Sequence, residues 1–392
     1  MSEAPPWDGG RPLLNAGLIA GAIGLIGWII GIAVETRQAL FSLLTAYAYL
    51  TSLVLGALIF LMSVHAARSE WPIAVRRLVE AITGALPLLI VFFIPIAIGL
   101  GHIYVWNGAE PADKSMRAAI AHKGVYFSVW FFLARSFFYL TAWVGIGYFL
   151  RRWSLRQDRD GDPRWNTRQW ALSGIGLVVL SLTLTFAAFD WFMSLTPDWR
   201  SSIYGVYFFA GGFLAAFSLL VILMRASERA GLLNGAINPA HYLSTGKYML
   251  AFTIFWTYTA YAQFFIIWIA DIPSEASWWV PRIHGWGPVS LVLIVTHFII
   301  PFSALLSRGL KLNPPLLALL SAWILVAHYI DMYWLVAPAL HKDAPHLSWL
   351  DLMALLLVLG SAVALSTWRA RGYPLVATAD PRFAASVAYE GS

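Results

Sequence analysis

The chain has 392 residues, 59% of them hydrophobic and only 12% charged, with 20 tryptophans and no cysteine. A water-soluble domain cannot hide that much apolar surface, so lipid is the expected solvent for most of it. Lack of cysteine excludes disulfides, thiolate-held iron–sulfur clusters, cysteine zinc sites and covalently attached c-type haem, and the net charge of +6 has no soluble basic domain through which nucleic acid could be bound.

Ten apolar stretches follow one another, near residues 12–34, 39–66, 77–101, 122–150, 170–194, 200–226, 246–270, 287–308, 312–337 and 347–370. They are continuous rather than alternating, and backbone polar groups in lipid must be satisfied internally, so they read as helices and not as barrel strands. The expected fold is an all-α polytopic membrane protein, a single integral membrane domain. Stretches two to five and six to nine are expected to form two four-helix bundles, with the first and last helices peripheral. The first stretch is too long for a signal-peptide core and is expected to stay as a helix. Along it Gly17, Gly21, Gly24, Gly27 and Gly31 make a small-residue stripe, suited to close packing within the chain or against a partner's helix.

An even number of spans puts both termini on one side. The loops and tails on that side hold eighteen Lys and Arg against seven opposite, which places the termini in the cytoplasm by the positive-inside rule. The longest connection is expected to be 151–169, an Arg- and Asp-rich solvated loop near anionic lipid head groups.

Polar residues inside these stretches are the candidate functional groups, because an ionisable side chain in lipid is costly to keep. His328 and Asp331 lie three apart in an otherwise apolar stretch, one helical turn from each other on one face. Arg135, roughly 20 Å along the fourth stretch at ~1.5 Å per residue, needs a buried carboxylate, phenol or carbonyl partner. His297 falls near the middle of the eighth stretch, and its imidazole suits proton transfer at neutral pH. By residue counting it is offset in depth from His328 by a good part of ~10 Å, which disfavours a bis-histidine haem b; no metal site is expected. Asp190 lies near the outer end of the fifth stretch, as a helix-end carboxylate or a proton acceptor for a quinol hydroxyl. Tyr258 and Tyr261 could extend a relay, with Lys247 at its cytoplasmic entrance and His65 as an alternative inner entry.

Several of these residues stand in segments that together resemble one family. The segments are Phe189-Asp190-Trp191-Phe192-Met193-Ser194-Leu195-Thr196-Pro197, Tyr204-Gly205-Val206-Tyr207-Phe208-Phe209-Ala210-Gly211-Gly212, 263–273 ending in Asp271-Ile272-Pro273, His297-Phe298-Ile299-Ile300-Pro301-Phe302, and His328 to Pro338. They resemble the second quinone-type membrane subunit of the bacterial quinol:cytochrome c oxidoreductase known as alternative complex III, within the NrfD-like (polysulfide-reductase) membrane-subunit superfamily. The resemblance implies two four-helix bundles with two flanking helices. It also implies partner subunits that carry the redox centres: a multihaem cytochrome c, an iron–sulfur protein and a homologous membrane subunit.

The leading expectation is a membrane subunit of a respiratory quinol oxidoreductase in the bacterial inner membrane, with no haem or iron–sulfur cluster of its own. It would contribute a quinone or quinol site near Asp190, a proton path through some of Arg135, Tyr258, Tyr261, His297, His328 and Asp331, or both. A proton-coupled secondary transporter is the alternative and predicts matching helix breaks in two halves; Pro87, Pro95 and Pro301 give no mirrored pair. A structural membrane anchor of a redox complex is the third reading.

Overall fold

The computed structural model describes residues 7–108, 114–233, 235–270 and 272–391, and all regular structure among them is helical. Ten segments are long and apolar enough to cross a membrane: α1 (Arg11–Val34), α2 (Thr36–Ala66), α3 (Trp71–Ile98), α4 (Val129–Asp160), α5 (Arg164–Leu195), α6 (Tyr204–Arg229), α7 (Pro239–Ala270), α8 (Gly287–Leu306), α9 (Pro314–Ala339) and α10 (Trp349–Ala370). The protein is therefore an all-α, multi-pass membrane protein.

The helices pack as two four-membered sets. In the first, α2 lies against α3 and α5, and α4 closes the ring by touching both of these; in the second, α6, α7, α8 and α9 do the same. Helix α2 is apolar around its whole circumference and nearly all of it is buried, as such a helix must be. It is the seam of the molecule, because it also packs on α6, α9 and α10. Two glycines make the α2–α6 crossing tight: a Cβ on Gly56 would sit 2.4 Å from the Gly212 carbonyl oxygen, and one on Gly212 2.4 Å from that of Ser52. This contact joins the two bundles at mid-helix.

Helices α1 and α10 flank the bundles as an antiparallel pair. The glycine stripe of α1 faces α10, and a Cβ on Gly24 would stand 2.2 Å from the Leu357 backbone nitrogen. The stripe thus serves packing within this chain. The opposite face of α1, with Ile19, Ile26 and Ile30, is exposed, as a lipid-facing surface would be. Trp7 exchanges backbone hydrogen bonds of 3.0 Å with the Gly372–Tyr373 segment, so the two tails meet at one end of the bundle.

Two expected boundaries are corrected. Residues 151–169 are not a loop: α4 runs on to Asp160, Gly161 turns the chain in the left-handed region (φ 65°), and α5 starts at Arg164. Backbone hydrogen bonds within a helix do not depend on lipid, so α4 can continue past its apolar stretch while Ser154 and Gln157 turn into a buried polar cluster. At its other end α4 starts at Val129 rather than near 122, because Lys114–His122 forms a separate short helix outside it. Arg135 therefore lies only about 9 Å along α4 at 1.5 Å per residue.

That polar cluster ties the terminus-side end together. Arg76 pairs with Asp380 and, at 3.3 Å, with Glu80; Arg77 pairs with Asp158 and donates to Glu80 at 2.6 Å; the Ser154 hydroxyl donates to Glu80 at 2.6 Å. Burial alone would raise the Asp380 carboxyl, but hydrogen bonds from Arg382 and the charges of Arg76 and Arg382 hold it down at about 2.

Candidate functional site

Each bundle carries one aspartate buried on its fourth helix, and the two are held in opposite ways. In the first bundle, Arg135 of α4 clamps Asp190 of α5 through two hydrogen bonds of 2.8 Å, and the Tyr139 hydroxyl donates a third at 3.0 Å. Arg135 also donates to the Tyr126 carbonyl at 3.1 Å, and its guanidinium lies 4.1 Å from the centre of the Tyr126 ring. A bidentate guanidinium–carboxylate pair at low exposure is a charge-neutral lock. Asp190 is 1% exposed, and both its oxygens are engaged by Arg135 and Tyr139. Beside the lock, toward the end away from the termini, a cavity of about 380 Å³ is lined by Tyr126, Phe127, Phe186, Phe189, Met193 and Trp199, with Lys123 also on its wall.

In the second bundle Asp331 has no arginine or lysine partner among the described residues. Tyr207 of α6 donates to its Oδ1, and the Trp256 indole of α7 donates to Oδ2 at 3.1 Å. One turn earlier on α9, His328 holds its Nδ1 3.9 Å from the same Oδ2. The other ring nitrogen of His328 lies 2.8 Å from the Ser52 hydroxyl of α2, whose hydrogen is committed to the Tyr49 carbonyl at 2.9 Å. With the Ser52 hydrogen on the Tyr49 carbonyl, Nε2 of His328 donates in that contact and Nδ1 is the acceptor facing Asp331. His297 of α8 completes the group, its ring centre 5.9 Å from that of His328 and 4.1 Å from the Trp256 ring. His297, His328 and Asp331 are all fully buried, and both nitrogens of His297 and Nδ1 of His328 have no hydrogen-bond partner.

Local features of the fold bring this group together. Gly211 leaves room for His328, since a Cβ there would approach its Cε1 to 3.0 Å. His297 sits in a π-helical turn, Ile294–Ile299, a distortion often found where a helix presents a functional side chain. The expected depth offset between the two histidines is overturned. The offset comes from counting from opposite ends: counted from the same end of this antiparallel pair, His297 lies ten residues from Gly287 and His328 eleven from Ala339, about 15 and 16.5 Å at 1.5 Å per residue, so the two stand level.

The remaining sequence candidates are not part of this group. Tyr258 and Tyr261 point away from it and are 61% and 58% exposed. The inward face of α7 is Thr253, Trp256, Thr259 and Gln263, at helical spacing, and the two tyrosines lie on the other side. Lys247 is exposed at the terminus-side end of α7, and His65 is buried at the same end of α2, beside the arginine cluster. Asp271 lies outside the described residues. The sequence reading missed Ser52, Tyr207 and Trp256, although Trp256 could have been found from the inward stripe of α7. It also missed Arg282, buried in the α7–α8 connection at the end away from the termini. Arg282 donates to the carbonyls of Trp278, Trp334 and Leu335 at 2.7, 3.2 and 3.0 Å and stacks on Trp278. Burial pulls its pKa down to about 9, while Tyr204 and Tyr207 oppose the fall, so it stays charged at neutral pH.

Two imidazoles and a carboxylate are also a metal-ligand set, and their nearest donor atoms lie within 4.8 Å of one another. Ligands around a metal with bonds of ~2.1 Å stand closer than that, and both Asp331 oxygens are already hydrogen-bonded. The geometry suits a shared proton better than an ion. Compared with known proteins, the chain matches no family model and no curated sequence.

Proposed function

We propose that this chain is a membrane subunit of a respiratory quinol-oxidising complex of the alternative complex III type, and that its second bundle carries a proton on the His297–His328–Asp331 group. The observation that carries the proton assignment is a fully buried carboxylate with no arginine or lysine beside it among the described residues and with imidazole nitrogens that have no hydrogen-bond partner there. Carboxylates and imidazoles whose ionisation is tuned by burial and by neighbours are the ordinary proton carriers in lipid. A proton on Asp331 can pass to His328 Nδ1 across 3.9 Å with a small side-chain rotation, or through one bridging water, and from there to His297. Arg282, a buried cation beyond Tyr204 on the outward side, would set the field against which the proton leaves.

The family and partner assignment rests on the sequence resemblance and on the absence of cysteine ligands. In this reading electrons run through the cytochrome c and iron–sulfur subunits, and the termini lie in the cytoplasm of a bacterial inner-membrane protein. A quinone ring, if this chain takes one, belongs in the aromatic cavity beside Tyr126, whose size suits a small-molecule head group. There Asp190 positions Arg135 and is not itself the proton acceptor. The transporter alternative gains no support from the helix breaks. Helix α3 breaks at Gly84–Ala85 and α8 at its π-helical turn, and these are the second helix of one bundle and the third of the other.

Purification of the tagged chain from its native membrane in mild detergent tests the assignment. Co-purifying c-type haem absorbance and iron–sulfur subunits are expected; a colourless solitary protein sinks it. For the proton group, the complex with Asp331→Asn should assemble with its full haem spectrum. It should lose proton-coupled turnover by about 100-fold, the scale of a missing acid–base group. Full turnover in an assembled variant would remove Asp331 from the path.

A further inference from the structure

We propose that the terminus-side end of α4 holds a binding site for the phosphate of an anionic phospholipid. A cavity of about 360 Å³ opens there between α4 and the end of α10, lined by Arg151, Arg152, Arg156, Arg159 and Arg369 together with Tyr148. Among the described residues no carboxylate lines it, so nothing described in the cavity wall neutralises the five guanidinium groups. Such a concentration of like charge is unfavourable by itself and is relieved by a bound anion.

The walls are partly fixed in place. Arg151 donates to the Arg369 carbonyl, Arg369 donates to the Gly84 carbonyl at 3.2 Å, and Arg152 donates to the Tyr148 hydroxyl at 2.5 Å. The Arg156 guanidinium lies over the Trp165 ring at 5.4 Å, which sets its position without consuming its charge. Guanidinium forks held this way match phosphate oxygens in pairs.

The surroundings favour a lipid over a free anion. Helix α4 leaves its apolar stretch at this level: Tyr148, which lines the cavity, and its neighbour Phe149 are each 46% exposed, and Trp368, next to Arg369 on α10, is 64% exposed. Aromatic side chains of this kind mark the depth of lipid head groups. Below them the outward face of α4 continues with exposed Phe137 and Phe138, against which acyl chains can lie. A basic pocket between helices at head-group depth is the expected form of an anionic-lipid site.

The test uses the full chain, purified and delipidated in detergent, with native mass spectrometry to count bound molecules. The probes are phosphatidylglycerol, phosphatidylcholine with the same chains, and inorganic phosphate as competitor. Wild type should prefer phosphatidylglycerol over phosphatidylcholine by about tenfold or more, and Arg152→Ala/Arg159→Ala should bring that preference close to one. Arg229→Ala/Arg308→Ala removes two exposed arginines from the same end of the second bundle and should leave the preference intact. Equal retention of both lipids by wild type, or equal loss in both double variants, overturns the site. Displacement of phosphatidylglycerol by millimolar inorganic phosphate would make it a free-anion site and overturns the lipid assignment. Because both doubles change exposed side chains, thermal melting of each should match wild type, which separates lost binding from lost folding.

Discussion

Two buried aspartates in similar places on α5 and α9 have different chemistry because of what faces them. Asp190 meets a guanidinium through two hydrogen bonds of 2.8 Å and a phenol through a third, so both its oxygens are engaged and it is immobile. Removing only one member of such a pair leaves a bare buried charge, which costs about 3–5 kcal/mol. Arg135→Met is therefore expected to lower stability on that scale, and Arg135→Met/Asp190→Leu to recover much of it. Melting curves in detergent for the two single variants and the double decide this; additive losses would mean that the pair is not a unit. Asp380 gives the same physics outside the membrane. Its carboxyl is held at about 2, below the ordinary value of 3.8, so its contribution to stability is complete above pH ~4 and is lost as pH falls from there through about 2. Asp380→Asn should flatten the acid limb of the melting profile in that window and lower the melting temperature at neutral pH. An unchanged profile would show that Asp380 contributes nothing there.

At the scale of elements, much was legible. Spans and their order follow from apolar run length, because lipid leaves a helix no other way to satisfy its backbone, whereas the flanking position of the first and last helices was an expectation implied by the family resemblance. Ends were less legible: the Arg-rich stretch after residue 150 reads as loop by composition, yet it is helix because Ser154 and Gln157 find buried partners on Arg76. The glycine stripe of α1 was visible, but its partner was not. The fold decides for α10, with backbones so close that Gly24→Leu must push the two helices apart. Overpacking of this kind costs about 1–3 kcal/mol. In a chain without native cysteine, Gly21→Cys and Ser361→Cys should cross-link readily, and adding Gly24→Leu should slow that reaction. Unchanged cross-linking would mean that α1 and α10 are more loosely joined than their contacts show.

For the whole molecule, the two bundles make a division of labour intelligible. The first is locked by Arg135–Asp190 and carries an apolar aromatic cavity at its end away from the termini; the second holds the His–Asp group, and α2 reaches across from the first bundle to support it through Ser52. Under the proposed function, Asp190→Asn should therefore lower stability, while Asp331→Asn should lower proton-coupled turnover and leave the fold intact. Comparing melting temperature with turnover for both in the assembled complex tests this; equal profiles for the two variants would refute the division.

Sequence by itself determined the solvent, the class and the inventory. Lipid as surroundings, ten helices, and His297, His328, Asp331, Arg135 and Asp190 as costly residues all follow from local composition and run length. Pairing is not local. Whether a buried carboxylate faces an arginine or two imidazoles depends on which helix packs beside it and on which face each turn presents. Arg135 and Asp190 stand 55 residues apart, and Ser52 and His328 stand 276 apart. Tyr258 and Tyr261 turned outward for the same reason that Trp256 turned inward: a helix shows only one face to the bundle. Only the tertiary packing, fixed by close crossings such as Gly56 on Gly212, could choose that face.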